Sequence, residues 1–305
     1  MSIVSALKGR GPSGFGYGST TDEVTAGLDL TGRRVLVTGC NSGLGLETMR
    51  ALCSRGATVL GAARDLKKAQ AACASVSGAA VPVVCELSEP ASVRACVAEV
   101  LGQGAPLHGI VANAGIMALP KLELVHGFER QFFTNHIGHF ILVTGLLPAL
   151  AADARVVMLS SAAHTSAPKA GIEFDNLDGA KGYSSITSYG QSKLANLLFA
   201  RELARRFQGT GKTANALHPG VIDTNLGRHL NPVFRGVLAL AAPLALKSIP
   251  QGAATQVWAA VHPDAGPHNG AYFADCNVAK SSRLGEDAAL AARLWARSEE
   301  IVAAC

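Results

Sequence analysis

Between Arg33 and Leu87 the chain alternates short apolar runs with segments of helical period: "RRVLVTG", "LGLETMRALCSRG", "ATVLGAAR", "DLKKAQAACASV" and "VPVVCEL". Strands separated by amphipathic helices pair in parallel, and the helices then cover the faces of the sheet. The order therefore predicts an α/β domain, doubly wound, with a mostly parallel sheet. It continues through "ASVRACVAEVLGQ", "LHGIVANAG", a long helix around "GFERQFFTNHIGHFILVTGLLPAL" and the strand "ARVVMLSS". A loop from Ala162 to about Ser185 leads into a helix containing "SYGQSKLAN" and the strand "TANALHPG". Residues 223 to 250 are mixed apolar and broken by Pro232, Pro243 and Pro250. After them "QGAATQVWAAV" reads as a helix and "NGAYFAD" as a short strand.

No internal repeat or linker divides the chain, so one domain is expected from Leu28 to the end at 305. Residues 1 to 27 form an extension in which Thr21, Asp22 and Glu23 can start a short helix. Within the domain, the first strand runs into "TGCNSGLG", and Gly39, Gly43 and Gly45 lead directly into a helix. A turn that brings its backbone close to a pyrophosphate needs residues without Cβ, and the helix N-terminus adds amide donors and positive potential. Being the first βα turn of a βαβ unit, it is placed where a dinucleotide site requires it. Asn41, Ser42 and Leu44 share the turn. The second strand ends in Ala63 and Arg64, with no acid before Asp65. An acid at that point holds ribose hydroxyls, whereas a planar arginine suits a 2′-phosphate. This selects NADP(H) over NAD(H).

The formal charge of +5 is mild, and its Lys and Arg are scattered with no interleaved aromatics, which disfavours a nucleic-acid track. Seven cysteines, odd in number and without a C-x-x-C pair, suggest neither a disulfide framework nor a zinc site, and point to a reducing compartment. The N-terminus is too polar for a signal peptide, and no apolar run reaches the roughly 20 residues of a spanning helix. The most apolar stretch, Val237 to Leu246, is interrupted by proline and reads as a buried or lid helix. A cytoplasmic location follows as the expectation.

In "SYGQSKLAN", Tyr189 and Lys193 are four apart, so a helix projects both from one face. With the glycine turn from Thr38 to Gly45, "NAG" at Asn113, Ala114 and Gly115, and the serine pair Ser160 and Ser161, the chain resembles the short-chain dehydrogenase/reductase family, with its Rossmann fold. "GPSGFGYGSTTDEVTAGLDLTG" and "LAARLWARSEE" are similar to its retinol-dehydrogenase-like branch, which includes WW-domain oxidoreductases and chloroplast translocon-associated reductases.

The resemblance covers essentially the whole chain. It implies a catalytic set of Asn135, Ser161, Tyr189 and Lys193. It also implies cofactor contacts from Thr38, Gly39, Gly43, Gly45, Arg64, Asn113, Gly115, Tyr189 and Lys193. "HPGVIDT" supplies Pro219 and Gly220, with Val221 and Thr224 beside the nicotinamide amide. The acid closing the third strand is Glu86 where the family commonly has aspartate, with Leu87 able to offer a backbone contact. Residues 225 to 250 match the family's variable substrate lid, whose apolar content, including Leu226 and Leu230, favours an apolar carbonyl or alcohol of retinoid, steroid, terpenoid or polyketide type. A homodimer through the helices of Asn135 and Tyr189 is a further implication.

Hydride transfer belongs to the cofactor, and the protein must manage the carbonyl's proton. A lysine ammonium beside Tyr189 is expected to favour its phenolate and lower its pKa. Asn135 would hold a water that returns the proton through Lys193. His164 borders the cleft as a candidate substrate contact, His136 and His139 imitate a metal pair without a third ligand, and His218 reads as a packed residue. Two other readings stay open: reduction of a carbon-carbon double bond on the same fold, and an NADP(H)-binding redox sensor that contacts a partner through its N-terminal extension.

Overall fold

The computed structural model describes residues 8–222 and 246–305. The sheet has eight strands: β1 Arg34–Thr38, β2 Thr58–Ala63, β3 Ala80–Val84, β4 Leu107–Ala112, β5 Leu150–Leu159, β6 Thr213–His218, β7 Tyr272–Ala274 and β8 Asn277–Val278. They lie in the order β8-β7-β6-β5-β4-β1-β2-β3. All neighbours run parallel except β8, which turns back antiparallel on β7. The alternation of apolar runs and helical segments is thus realised as a doubly wound sheet. Its strand order reverses between β1 and β4, where such folds open a crevice for ligands.

Pleating sends alternate strand residues to opposite faces. Leu36 joins a core layer with Ile110, Phe140, Leu197 and Trp295. Val35 and Val37 join the other with Met49, Leu52, Val257 and Trp258. The second face is covered by α1 Thr21–Val24, α2 Gly43–Cys53, α3 Leu66–Ala74 and α7 Ile249–Val261. The first is covered by α4 Pro90–Gly102, α5 Gly138–Leu146, α6 Ser185–Arg206 and α8 Ala288–Ala303.

The expected long helix around Asn135 is interrupted: a π-helical turn, Phe133–Ile137, precedes α5. Such widened turns change which main-chain carbonyls the helix ladder uses. The domain boundary at Leu28 is also softer than the sequence suggests. Tyr17, Thr21, Val24 and Thr25 are buried, Thr20 caps α1 with a reciprocal bond to Glu23, and Arg50 of α2 pairs with Asp22 at 2.8 Å. The extension is packed onto α2 and α7 as part of the domain.

Part of the expected dimer face is covered within the chain. α8 lies across α6 with Trp295 stacked on Phe199, centroids 5.5 Å apart, and edge-on to Phe140 at 5.0 Å. The His136 imidazole meets Ser298 of α8 at 2.8 Å. Among the described residues no helix is long and apolar enough to cross a membrane.

Candidate active site

At the crevice, Asn113 Nδ2 donates to the Thr38 carbonyl at 2.8 Å, tying β4 to β1 across the switch in strand order. The turn that follows β1 is tightly closed. A Cβ on Gly45 would fall on the Gly39 carbonyl and 2.6 Å from Asn113 Nδ2. Ser42, at the N-cap of α2, makes no side-chain capping bond. The first-turn amides of α2 thus lack that internal partner, which suits a phosphate. Asn41 and Ser42 are exposed beside it, and Leu44 is half-buried.

Arg64 is exposed just past β2. The next residue, Asp65, is spent elsewhere: its carboxylate caps α3 through Lys68 N at 2.9 Å and pairs with Lys68 Nζ at 2.6 Å. The Arg64 side chain is left exposed at the end of β2. Glu86, which the resemblance places at the adenine, has a local partner. Its Oε1 is turned back on Ser88, accepting from Ser88 Oγ at 2.9 Å and Ser88 N at 3.2 Å. Leu87 is buried, with its carbonyl against Gly138.

The expected catalytic residues converge. The Tyr189 hydroxyl lies near enough to Ser161 for that side chain to lower its pKa. Lys193 Nζ lies 5.7 Å from the Tyr189 ring centroid and donates to the Leu159 carbonyl at 3.0 Å. A Cβ on Gly115 would sit 3.2 Å from Asn135 Oδ1 and 3.5 Å from Lys193 Nζ, so these three residues share one small volume. The close packing that brings α6 to Ser161 depends on Gly190, where a Cβ would lie 2.7 Å from the Ala163 carbonyl.

Electrostatics correct one expectation. Burial pushes the Tyr189 hydroxyl up to about 12, and the Ser161 side chain pulls the other way. Burial also brings Lys193 down to about 8. Desolvation disfavours both charged forms, and Lys193 is directed at Leu159, so its ammonium does not win Tyr189 a low pKa here. The resting tyrosine is a protonated acid.

Asn135 is held on all sides. Its Oδ1 accepts from Ile116 N at 2.8 Å, and its Nδ2 donates to the Ile116 carbonyl and to Ser192 Oγ, each at 2.9 Å. Ser192 in turn donates to the Tyr189 carbonyl at 2.8 Å. The serine between Tyr189 and Lys193 is therefore a tie between the two helices. His139 Nδ1 donates to the Asn135 carbonyl at 2.8 Å, so its Nε2, 3.0 Å from Thr38 Oγ1, is the acceptor. Thr38 Oγ1 also accepts from Ala114 N at 2.9 Å. Burial lowers His139 to about 4, keeping this tautomer neutral. His136 and His139 thus serve different partners.

His164 corrects another expectation. The ring is buried, Nδ1 donates to the Ser161 carbonyl at 2.6 Å and Nε2 accepts from Ser282 N at 3.0 Å. Both nitrogens brace the loop, leaving none for a substrate. His218 is packed as expected, its Nδ1 accepting from Ala162 N at 3.2 Å. Pro219 and Gly220 follow it half-buried, and Val221 is exposed. Thr224, Leu226 and Leu230 lie outside the described residues, as does the lid up to residue 245.

Sequence reasoning missed Gln256 of α7, whose Nε2 reaches the Leu44 carbonyl at 3.3 Å and Asn113 Oδ1 at 3.2 Å, bracing the glycine turn from below. Nothing local marks it. Ser192 and His139 carried a fainter signal, three and four residues along the helix from Tyr189 and Asn135.

The model of the family described as short chain dehydrogenase matches residues 33–233. The chain belongs to the short-chain dehydrogenase family. The dehydrogenase is 40% identical over 317 residues to "Short-chain dehydrogenase TIC 32 A, chloroplastic" of Brassica napus, covering 99% of both chains. It is 40% identical over 285 residues to "Retinol dehydrogenase 12" of Mus musculus, covering 91% of this chain and 89% of the relative. The solved structure of an uncharacterized protein from Mycobacterium Paratuberculosis superposes with a TM-score of 0.76 at 35% identity, covering 94% of this chain and 98% of that one. These likenesses make the dehydrogenase an oxidoreductase of Rossmann type.

Proposed function

We propose that this dehydrogenase interconverts a carbonyl and an alcohol on an apolar small molecule with NADP(H), using Tyr189 as general acid and base. Hydride is what the bound nicotinamide supplies. The protein's share is binding, orientation and the proton. The turn from Thr38 to Gly45 would hold the pyrophosphate at the N-terminus of α2. Arg64 would take the 2′-phosphate, because the adjacent carboxylate, Asp65, is committed to Lys68.

The observation that carries the reading is the convergence of Tyr189, buried beside Lys193 and near Ser161, with Lys193 and Asn135 around Gly115. In reduction Tyr189, protonated up to about 12, donates to the carbonyl oxygen while Ser161 hydrogen-bonds to the same atom. Lys193, lowered to about 8, sits close enough to neutrality to pass a proton back to Tyr189. Asn135 fixes the wall behind Lys193. Oxidation of an alcohol needs the phenolate, so it should accelerate as pH rises.

The apolar substrate class is supported by the composition of residues 225 to 250 and by the mouse relative, whose name specifies retinol. The seven free thiols suit a cytoplasmic setting. Tyr189→Phe tests the mechanism. Turnover of NADPH against a panel of apolar ketones and aldehydes should fall by about 10³-fold, while the Kd for NADPH changes by less than about twofold. Near-wild-type turnover would sink the assignment.

A further inference from the structure

β6 lies beside β5, whose C-terminal end carries Ser161, so the residues that follow β6 border the place where a carbonyl would react. One lysine backs that segment. The main-chain N–H of Lys247 donates to the Val221 carbonyl at 2.9 Å, and Lys247 forms a parallel bridge with Ile222. Its stem lies against Gly220, which has a φ of +100°, and a Cβ there would be 2.7 Å from Lys247 Cδ. Gly220, Val221 and Ile222 thus lean on this side chain and its amide.

That side chain is itself pinned. Lys247 is 2% exposed, and its Nζ is 2.6 Å from Asp275 Oδ1. Asp275 and Cys276 form the turn between β7 and β8 with φ of +53° and +59°, two consecutive non-glycine residues in the left-handed region. Such a turn persists only where its surroundings hold it. Here Cys276 N donates to Thr255 Oγ1 at 3.2 Å, and Asn277 takes Ser13 N at 3.0 Å and gives to the Phe15 carbonyl at 3.1 Å. The N-terminal extension is thereby fastened to the same turn. The Tyr17 ring then lies with its centroid 4.8 Å from Lys247 Nζ, a cation-π distance, and 4.8 Å from Lys8 Nζ. Gln251 anchors Gly18 beside it at 3.1 Å.

We infer that Tyr17, Lys247 and Asp275 are positioning residues for the nicotinamide half of NADP(H), and that the N-terminal extension is through them part of the cofactor site. The inference rests on the NADP(H) reading above. A buried ammonium held by both a carboxylate and a ring has one position, and the backbone of residues 220 to 222 inherits it. Removing the carboxylate leaves the ammonium unpaired and free to seek water. The segment would then lose its support without any change at the glycine turn or at Arg64.

The test compares two probes on the full chain by calorimetry: NADPH, and adenosine 2′,5′-bisphosphate, which has the adenine and 2′-phosphate but no nicotinamide. Lys247→Met and Asp275→Asn should weaken NADPH by about tenfold while leaving the bisphosphate within about twofold. Tyr17→Leu, which keeps the ion pair, should weaken NADPH by a few-fold, and Lys247→Arg should recover part of the loss. If a variant binds both probes as wild type does, or loses both in proportion, the inference is overturned. Should Asp275→Asn melt too early to titrate, Tyr17→Leu decides alone by the same criterion. Failure of the wild-type chain to bind the bisphosphate would instead remove the NADP(H) reading itself.

Discussion

At the glycine-turn end of the site, Thr38 to Gly45 follow one another through one strand, one turn and one helix. At the opposite end, Gly115, Asn135, Ser161, Tyr189 and Lys193 come from the segment after β4, a π-helical turn, the residues just past β5, and α6, and residues 220 to 222 lean on Lys247 from beyond the lid segment. The first end is a local object whose shape is set by absent side chains. The second is assembled by packing, and its groups are placed by hydrogen bonds that cross the core. The difference teaches where each end is vulnerable: the turn to an added atom within it, the assembled end to the loss of a tie far along the chain.

Three experiments would break or sharpen this contrast. The largest effect is expected from Gly45→Ala, whose Cβ would meet the Gly39 carbonyl and Asn113 Nδ2. It should weaken both NADPH and adenosine 2′,5′-bisphosphate by about 100-fold or more, since an oxygen atom of the backbone cannot step aside as a flexible side chain can. Normal binding in calorimetry would show that the packed turn is not the cradle.

A smaller effect, confined to the assembled end, is expected from Ser192→Ala. Asn135 Nδ2 would lose its Ser192 acceptor but keep Ile116. We expect kcat to fall about tenfold with the NADPH Kd unchanged within about twofold. An unchanged kcat would mean that the two helices need no tie at this point.

The smallest effect concerns stability. Burial holds His136 near about 3 and His139 and His218 near about 4, all below the ordinary value of 6.5. The unfolded chain binds protons on these histidines first as pH falls, so stability should be flat above pH 7 and decline from about 6.5 toward 4. A loss of about 10 °C in Tm over that window is the expected scale. His139→Gln, able to donate and accept, should flatten part of the slope. An identical slope in that variant would place the acid sensitivity elsewhere.

Legibility followed the same division. The parallel sheet, the glycine turn and the Tyr189–Lys193 pair could be read because each is a short-range pattern whose period or spacing is itself the physics. Ser192 was visible as a residue between Tyr189 and Lys193, but its partner was not, because Asn135 lies on another helix. His164 looked like a cleft residue from its neighbours in sequence, yet Ser282, over a hundred residues away, takes its second nitrogen. The pKa of Tyr189 went the other way from expectation because spacing reports proximity to Lys193 and says nothing of how dry the site is.

What the sequence determined alone was the order of strands and helices, the phosphate-sized turn, and which residue types could do proton chemistry, since all of these depend on neighbours within a few positions. Tertiary structure decided the rest. It set the burial that keeps Tyr189 protonated and Lys193 near neutrality, the α8 helix that covers α6, the Gln256 brace beneath the glycine turn, and the Tyr17, Lys247 and Asp275 cluster behind residues 220 to 222. The physical reason is that desolvation and long-range hydrogen bonds are properties of the packed volume around a group, and residues that fill that volume come from anywhere along the chain.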